Sequence, residues 1–132
     1  LILMFQKELG DKILGKYQSA SYGRLSILSN YRLTTLGKFL VSPNCFFPKP
    51  KVNSLVIHFK PKINSFNIKK IESLEKVTNI LFSNKRKMIN KNIKKILKNN
   101  EIIKIPDLKL TFRPSEIKPE LFYKITELYE KK

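Results

Sequence analysis

Acidic side chains, glycine, cysteine and histidine are all scarce in this sequence of 132 residues. Ten Asp and Glu stand against 27 Lys and Arg, which gives a formal net charge of +17 at pH 7. A single cysteine, Cys45, excludes an internal disulfide framework, and one Cys with one His, His58, excludes a Cys/His zinc site. The four glycines form no Gly-x-Gly pattern, so the usual phosphate-binding turn of nucleotide-binding sheets is not encoded here.

Long apolar runs are also missing. The longest, Leu1 to Phe5, is far shorter than the roughly 20 residues that a membrane-spanning helix needs. No charged-then-apolar secretory signal opens the chain, and the basic segments carry no Trp or Phe anchor of the kind that holds a helix on a membrane surface. We therefore expect a cytoplasmic protein, monomeric, without a membrane or metal partner.

The residues that are present support a folded, basic protein. Hydrophobic residues make up 42% of the chain and aromatic residues 11%, which is enough to bury a core. A large positive charge usually serves an anionic partner, and the commonest such partner is nucleic acid. The alternative, that an AT-rich genome raises the Lys, Asn and Ile content without functional meaning, stays open at this point.

Residues 1–61 have an α/β pattern. Leu1–Phe5 is uniformly apolar, and Leu1–Gln6 predicts a strand that is buried on both faces. The remaining segments predict helices at Lys7–Lys16 and Tyr22–Tyr31, a strand at Thr34–Val41 with a bulge at Gly37, and a covered strand at Val52–Phe59. Since a chain rarely opens inside a central strand, we expect the sequence to be the C-terminal part of a longer protein.

Residues 62–132 have a helical pattern. Apolar residues at helical spacing predict a helix from Ile68 to Leu81, with Asn67 as its N-cap, and Pro119 predicts the start of the last helix. Between them, Lys85–Leu97 predicts an amphipathic helix. On a helical wheel its apolar half holds Met88, Ile89, Ile93, Ile96 and Leu97, and its other half holds Lys87, Lys91, Lys94, Lys95 and Lys98.

Four segments, in order along the chain, carry a resemblance to a known family. They are Leu3-Met4-Phe5-Gln6-Lys7-Glu8, Tyr22-Gly23-Arg24-Leu25-Ser26, Phe46-Phe47-Pro48-Lys49-Pro50-Lys51-Val52-Asn53-Ser54 and Phe82-Ser83-Asn84-Lys85-Arg86-Lys87-Met88-Ile89-Asn90. Together they resemble the C-terminal half of the KsgA-type ribosomal RNA small-subunit adenine dimethyltransferases. The resemblance covers nearly the whole chain, and it is the combination of segments that is specific.

The resemblance implies a fold and an activity. Residues 1–61 would be the last three strands of a Rossmann-like methyltransferase sheet, the final one antiparallel, and residues 62–132 a small helical rRNA-binding domain. The whole protein would dimethylate N6 of two adjacent adenosines near the 3′ end of small-subunit rRNA, on the immature small ribosomal subunit. The cofactor would be S-adenosylmethionine, but the family's Gly-rich turn, ribose-binding acidic residues and Asn-x-Pro-(Tyr/Phe) motif do not occur here. Its binding site would therefore lie in the missing upstream half, and the 132 residues alone would be inactive.

The resemblance assigns Phe46 to the target base. A base taken out of its stack needs a flat apolar surface, and stacking on an aromatic ring contributes about 1–3 kcal/mol per base. Pro48 and Pro50 would stiffen the loop and lower the entropy lost on binding. Spacing alone favours a core position for Phe46; with the resemblance we predict stacking for Phe46 and a core role for Phe47.

The resemblance assigns the cations of the Lys85–Leu97 segment to rRNA. Lys85, Arg86 and Lys87 open a run that continues through Lys91 and Lys94 with no acidic residue among them. Such a run is often only a solvated face, but its mutual repulsion would be relieved by a phosphate backbone. Arg24 has two open alternatives, contact with rRNA or pairing with Glu8 or Asp11. Arg113 likewise could contact RNA or cap a helix.

Two other functions remain open. One is a non-catalytic RNA-binding or ribosome-assembly module that retains the basic segment. The other is a methyltransferase of the Erm type, which acts on large-subunit rRNA. The Tyr22–Ser26 and Lys85–Asn90 segments fit the small-subunit group better.

Overall fold

The computed structural model describes residues 1–45 and 53–131. Their contacts divide the chain into two compact units, Leu1–Ile63 and Asn64–Lys132. The first contains the strands and two helices, and the second is built from helices and turns. Within the described ranges no helix is both long enough and apolar enough to cross a membrane.

Three strands form the sheet of the first unit: β1 (Ile2–Gln6), β2 (Leu33–Val41) and β3 (Ser54–Pro61). Their order is β1-β3-β2, so the last strand in sequence lies between the other two and runs antiparallel to both. The predicted insertion of an antiparallel final strand is confirmed. The register of β2 against β3 shifts between Thr35 and Gly37, which also confirms the predicted bulge.

One face of the sheet is covered by α1 (Lys7–Ile13). Leu55, Ile57 and Phe59 of β3 alternate onto this face and form a buried cluster with Ile13. Gly10 permits the close approach, because a Cβ at that position would lie 2.7 Å from Leu55 Cδ2. The second helix of this unit, α2 (Arg24–Arg32), contacts both α1 and β2.

The opposite face of the sheet is open. Met4, Val56 and Phe39 are register partners across the three strands, and the Met4 and Phe39 side chains are 55% and 62% exposed. The prediction that β1 and β3 are covered on both faces is therefore wrong for these residues. The reason is physical: an apolar pattern encodes the tendency of a strand to be buried, but not which faces another element covers, and among the described residues α1 covers the face of Leu55, Ile57 and Phe59.

The second unit has its longest helices at α3 (Ile71–Phe82) and α5 (Pro119–Glu130), with a short α4 (Asn99–Ile102) between them. Leu74, Val77 and Leu81 place one face of α3 in the core, and the Phe82 ring stacks on Phe122 of α5 with centroids 5.5 Å apart. Pro119 begins α5 as predicted. The N-cap of α3 is Lys70 and not the predicted Asn67.

The predicted helix over Lys85–Leu97 is wrong. These residues form successive turns, with a 3-10 turn at Ile93–Lys95. Two physical causes oppose a continuous helix: the neighbouring cations have no acidic partner among them, and Asn84, Asn90 and Asn92 favour turns. The predicted burial of Ile89, Ile93, Ile96 and Leu97 is nevertheless confirmed, whereas Met88, predicted on the buried side, is 47% exposed.

Candidate nucleic-acid interface

The sheet places the end of β2 and the start of β3 at one edge. β1 and β2 are parallel to each other, and their carboxyl ends, Gln6 and Val41, both pair with Ser54 at the start of β3. Ligand sites of open α/β sheets lie at the carboxyl ends of the strands. Ser42 follows directly, then a 3-10 turn at Pro43–Cys45. Phe46 and Phe47 lie outside the described residues, so their predicted roles remain predictions.

The described residues of the sheet unit do not fit the implied S-adenosylmethionine. Binding of a nucleoside cofactor usually requires a carboxylate for the ribose hydroxyls. Residues 1–63 contain two carboxylates, Glu8 and Asp11, and both lie on α1. Each is engaged on its own helix: Lys7 Nζ lies 2.7 Å from Asp11 Oδ2, and Lys12 Nζ lies 3.7 Å from Glu8 Oε1. We assign no residue of this chain to the cofactor.

Arg24 lies in the first unit, at the first position of α2 and partly exposed. Gly23 precedes it as the N-cap, and the Ser26 hydroxyl bonds to both Gly23 backbone groups, accepting from its N–H at 3.1 Å and donating to its carbonyl at 2.8 Å. The Tyr-Gly-Arg-Leu-Ser segment is thus a helix start that positions Arg24. This placement leaves both alternatives for Arg24 open.

A groove of about 600 Å³ in the second unit gathers three of the six predicted RNA-binding residues. We call it the basic groove, and it is lined by Asn84, Arg86, Lys87, Met88, Asn90, Lys91, Asn92, Lys95 and Arg113. Of the predicted residues, Arg86, Lys87 and Lys91 line it. Lys85 and Lys94 are exposed on the same segment but do not line it, and Arg24 belongs to the other unit.

Buried backbone contacts hold the basic groove in shape. The Ile89 N–H donates to the Phe112 carbonyl at 2.8 Å, and this bond joins the 84–92 turns to the segment that carries Arg113. The Asn92 side chain donates to Ser83 Oγ at 3.2 Å, and that hydroxyl in turn donates to the Ile80 carbonyl at 2.7 Å. The groove is therefore anchored to the end of α3 as well as to the core.

A capping hydrogen bond to its backbone N–H helps to position Arg113 at the groove. Its N–H donates to Glu116 Oε1 at 2.8 Å, and Pro114, the next residue, is buried at the start of a 3-10 turn. Sequence reasoning left Arg113 undecided between RNA contact and capping. The structure shows that Glu116 supplies the cap while the Arg113 side chain lines the groove.

The lining of the basic groove is uniformly positive. Its described residues include five cations and no carboxylate: Arg86, Lys87, Lys91, Lys95 and Arg113. Two glutamates of this unit are used to cap helical turns. Glu101 Oε1 accepts a hydrogen bond from the Lys98 N–H at 2.9 Å, and Glu116 Oε1 accepts one from the Arg113 N–H. Cations of one sign in a concave site focus a positive potential that attracts a polyanion. In residues 1–45 and 53–131, no cluster of His, Cys, Asp and Glu is arranged to hold a metal ion.

Fold and groove together describe part of a methyltransferase sheet joined to a basic helical unit. The model of the family "Ribosomal RNA adenine dimethylase" matches residues 1–131, and the chain belongs to this family. A curated relative, "Ribosomal RNA small subunit methyltransferase A" of Pelagibacter ubique, is 38% identical over 131 residues, which are 98% of this chain and 50% of the relative. The chain thus spans about half the length of this relative.

Two solved structures are similar in fold. A dimethyladenosine transferase from Plasmodium falciparum matches 94% of this chain and 54% of its own, with a TM-score of 0.70 at 22% identity. The 23S rRNA methyltransferase ErmE matches 98% of this chain and 54% of its own, with a TM-score of 0.63 at 17% identity. At these identities the likeness establishes the fold alone.

Proposed function

We propose that these 132 residues are part of an S-adenosylmethionine-dependent rRNA adenine dimethyltransferase, and that the basic groove binds the rRNA. The whole protein dimethylates N6 of two adjacent adenosines near the 3′ end of small-subunit rRNA, acting as a monomer on the immature small ribosomal subunit in the cytoplasm. Family membership supports the activity. The small-subunit target, rather than the large-subunit target of an Erm-type enzyme, is supported by the name of a relative at 38% identity.

The observation that carries the RNA-binding part is the convergence of two segments on one groove, the 84–92 turns with Arg86 and Lys91 and the segment with Arg113. A merely solvated run of lysines would spread its charges apart, because like charges repel. Here the fold holds them together with no carboxylate among the described lining residues. Phosphate groups relieve that repulsion and release condensed counterions on binding, so the affinity should fall steeply as salt rises.

Charge reversal in the groove tests this proposal. We expect Arg86→Glu with Lys91→Glu to weaken binding to a fluorescently labelled fragment of the 3′ region of small-subunit rRNA by at least about tenfold. The slope of log affinity against log salt should become shallower by about one unit for each phosphate that the variant no longer neutralises. Both side chains are exposed, so the fold should be retained and can be checked by circular dichroism.

The matched control is Lys104→Glu with Lys124→Glu. These residues are exposed in the same unit and do not line the groove, and the change in net charge is identical. Binding within about threefold of wild type is expected for this pair. Equally weakened binding in the two double variants would mean that only overall charge matters, and would overturn the role of the groove.

Phe46 is proposed to stack on the target adenine. The place of β2 supports this, since Val41 precedes Phe46 closely in sequence and Gln6 and Val41 mark the carboxyl ends of two parallel strands. The test is an RNA carrying 2-aminopurine at the target position, whose fluorescence is quenched by stacking. Quenching on binding should be lost in Phe46→Ala and kept in Phe46→Tyr; quenching that persists in the alanine variant would contradict stacking.

The cofactor would supply the methyl groups, and we propose that the residues binding it lie outside this chain. The placement of Glu8 and Asp11 on α1 supports this. A non-catalytic RNA-binding module would use the same basic groove, so the coding sequence upstream of residue 1 distinguishes the two. A Gly-rich turn and an Asn-x-Pro-(Tyr/Phe) motif in frame support the enzyme, whereas a stop codon directly before Leu1 supports the module.

A further inference from the structure

Among the described residues that line the basic groove, Met88 is the one with an apolar side chain. This side chain is 47% exposed, although the next residue, Ile89, is 1% exposed in the core. The Ile89 N–H donates to the Phe112 carbonyl at 2.8 Å, which ties the backbone beside Met88 to the segment that carries Arg113. A surface that binds only phosphate groups gains no favourable contact from an exposed thioether at this position.

Side-chain amides accompany Met88. Asn84 and Asn90 are exposed in the groove lining, and Asn92 is held in place by its bond to Ser83. An amide offers a donor and an acceptor side by side, which matches the hydrogen-bonding edge of a base. Phosphate oxygens only accept, so an amide can use its donor on a phosphate but needs a base edge to use its donor and its acceptor together.

The size of the groove agrees with a compact ligand. Its volume of about 600 Å³ lies within the range of roughly 300–1,000 Å³ that small-molecule sites occupy. The rim of a double helix presents phosphates and ribose to a protein, while the faces of its bases stay stacked inside. The groove combines cations, the partly exposed apolar side chain of Met88 and side-chain amides. This combination fits a nucleotide whose base is not stacked between neighbouring bases.

We propose that the basic groove receives one unpaired nucleotide of the RNA. Its phosphate is held by the groove cations, its base lies on the Met88 thioether, and Asn84 and Asn90 face the base edge. Sulfur–aromatic contacts are favourable, and a base presents the same kind of π-face to the sulfur. This inference rests on the proposed rRNA binding and adds a preference for unpaired over fully paired RNA.

Two hairpins that differ by a single bulged adenosine in the stem provide the test, each closed by a non-nucleotide linker so that the hairpin without the bulge has no unpaired nucleotide. Fluorescence anisotropy with the 132-residue chain at about 0.15 M salt should show about fivefold tighter binding of the bulged hairpin, a difference of about 1 kcal/mol. Met88→Ala should reduce this ratio to about one while leaving the affinity for the paired hairpin unchanged. Met88→Leu keeps an apolar side chain at this position and should retain part of the preference for the bulged hairpin.

Ile103→Ala is the matched control, since Ile103 is a 78% exposed aliphatic residue of the same unit that does not line the groove. It should keep the full preference. Equal binding of the two hairpins by wild type, or an unchanged preference in Met88→Ala, would overturn the inference while RNA binding by the groove stands. If neither hairpin binds in a salt-dependent manner, the proposed RNA binding fails together with it.

Discussion

The Glu130 carboxylate, near the end of α5, accepts hydrogen bonds from the backbone N–H of Lys69 at 2.7 Å and from that of Lys70 at 3.0 Å. The two partners are about 60 residues away in sequence and immediately precede α3. The last helix therefore satisfies donors at the start of the first helix of its unit. This contact closes the second unit on itself, in addition to the packing of α3 on α5.

The same contact makes stability depend on pH. Burial raises the pKa of Glu130, but hydrogen bonds from Lys69, Lys70 and Ser73 together with the Lys69 charge outweigh it, so the pKa is lowered below 4.5. The stabilisation is fully present above the ordinary glutamate pKa and is lost as the pH falls through the lowered value. Glu130→Gln should cost about 1 kcal/mol in urea unfolding at pH 7, and this cost should shrink as the pH falls through the lowered pKa. Glu127→Gln on the same helix is the control, and an equal cost at every pH would contradict the mechanism.

Gly15 is predicted to be intolerant of a side chain. A Cβ at this position would lie 2.6 Å from the Ser21 carbonyl carbon and 2.9 Å from the Tyr22 nitrogen, and backbone atoms cannot move aside cheaply. Gly15→Ala should lower the free energy of unfolding by about 1–3 kcal/mol, measured by urea titration. Gly37→Ala is the matched control because a Cβ there meets nothing within 4 Å. Comparable destabilisation in the two variants would refute the steric explanation.

The open face of the sheet is predicted to drive self-association of the isolated chain. Met4 and Phe39 lie on this face across Val56, and within residues 1–45 and 53–131 β1 has a strand partner on one side, β3. Met4→Lys with Phe39→Lys should raise the protein concentration at which light scattering appears. Leu9→Lys adds a charge at a similarly exposed residue of α1 and controls for the effect of added charge. If Leu9→Lys reduces light scattering as much as Met4→Lys with Phe39→Lys does, the open face is not the cause of self-association.

The chain by itself is predicted not to bind S-adenosylmethionine. In residues 1–63 the two carboxylates, Glu8 and Asp11, both form ion pairs with lysines of α1, and no Gly-x-Gly turn is encoded for the phosphate or nucleoside of a cofactor. Isothermal titration calorimetry should detect no binding at micromolar concentrations. Saturable binding with a micromolar dissociation constant would place cofactor-binding groups within these residues and contradict the assignment.

Local patterns in the sequence correctly predicted the strands, the bulge near Gly37 and the start of α5 at Pro119. They did so because apolar periodicity and the special backbone preferences of glycine and proline act over a few residues. The same patterns failed for Lys85–Leu97, where apolar spacing predicted one continuous helix but the chain forms successive turns. The burial of Ile89 and Ile93 was still predictable, because removing an apolar side chain from water is favourable in a turn as well as in a helix.

The sequence alone therefore determined the family, the basic character and the apolar residues that build each core. Only the tertiary structure decided which cations share one groove, that Arg113 joins them and that Met88 faces outward. The reason is that charge and hydrophobicity are properties of single residues. Convergence instead depends on long-range backbone contacts, such as that from Ile89 to Phe112, which no local pattern encodes.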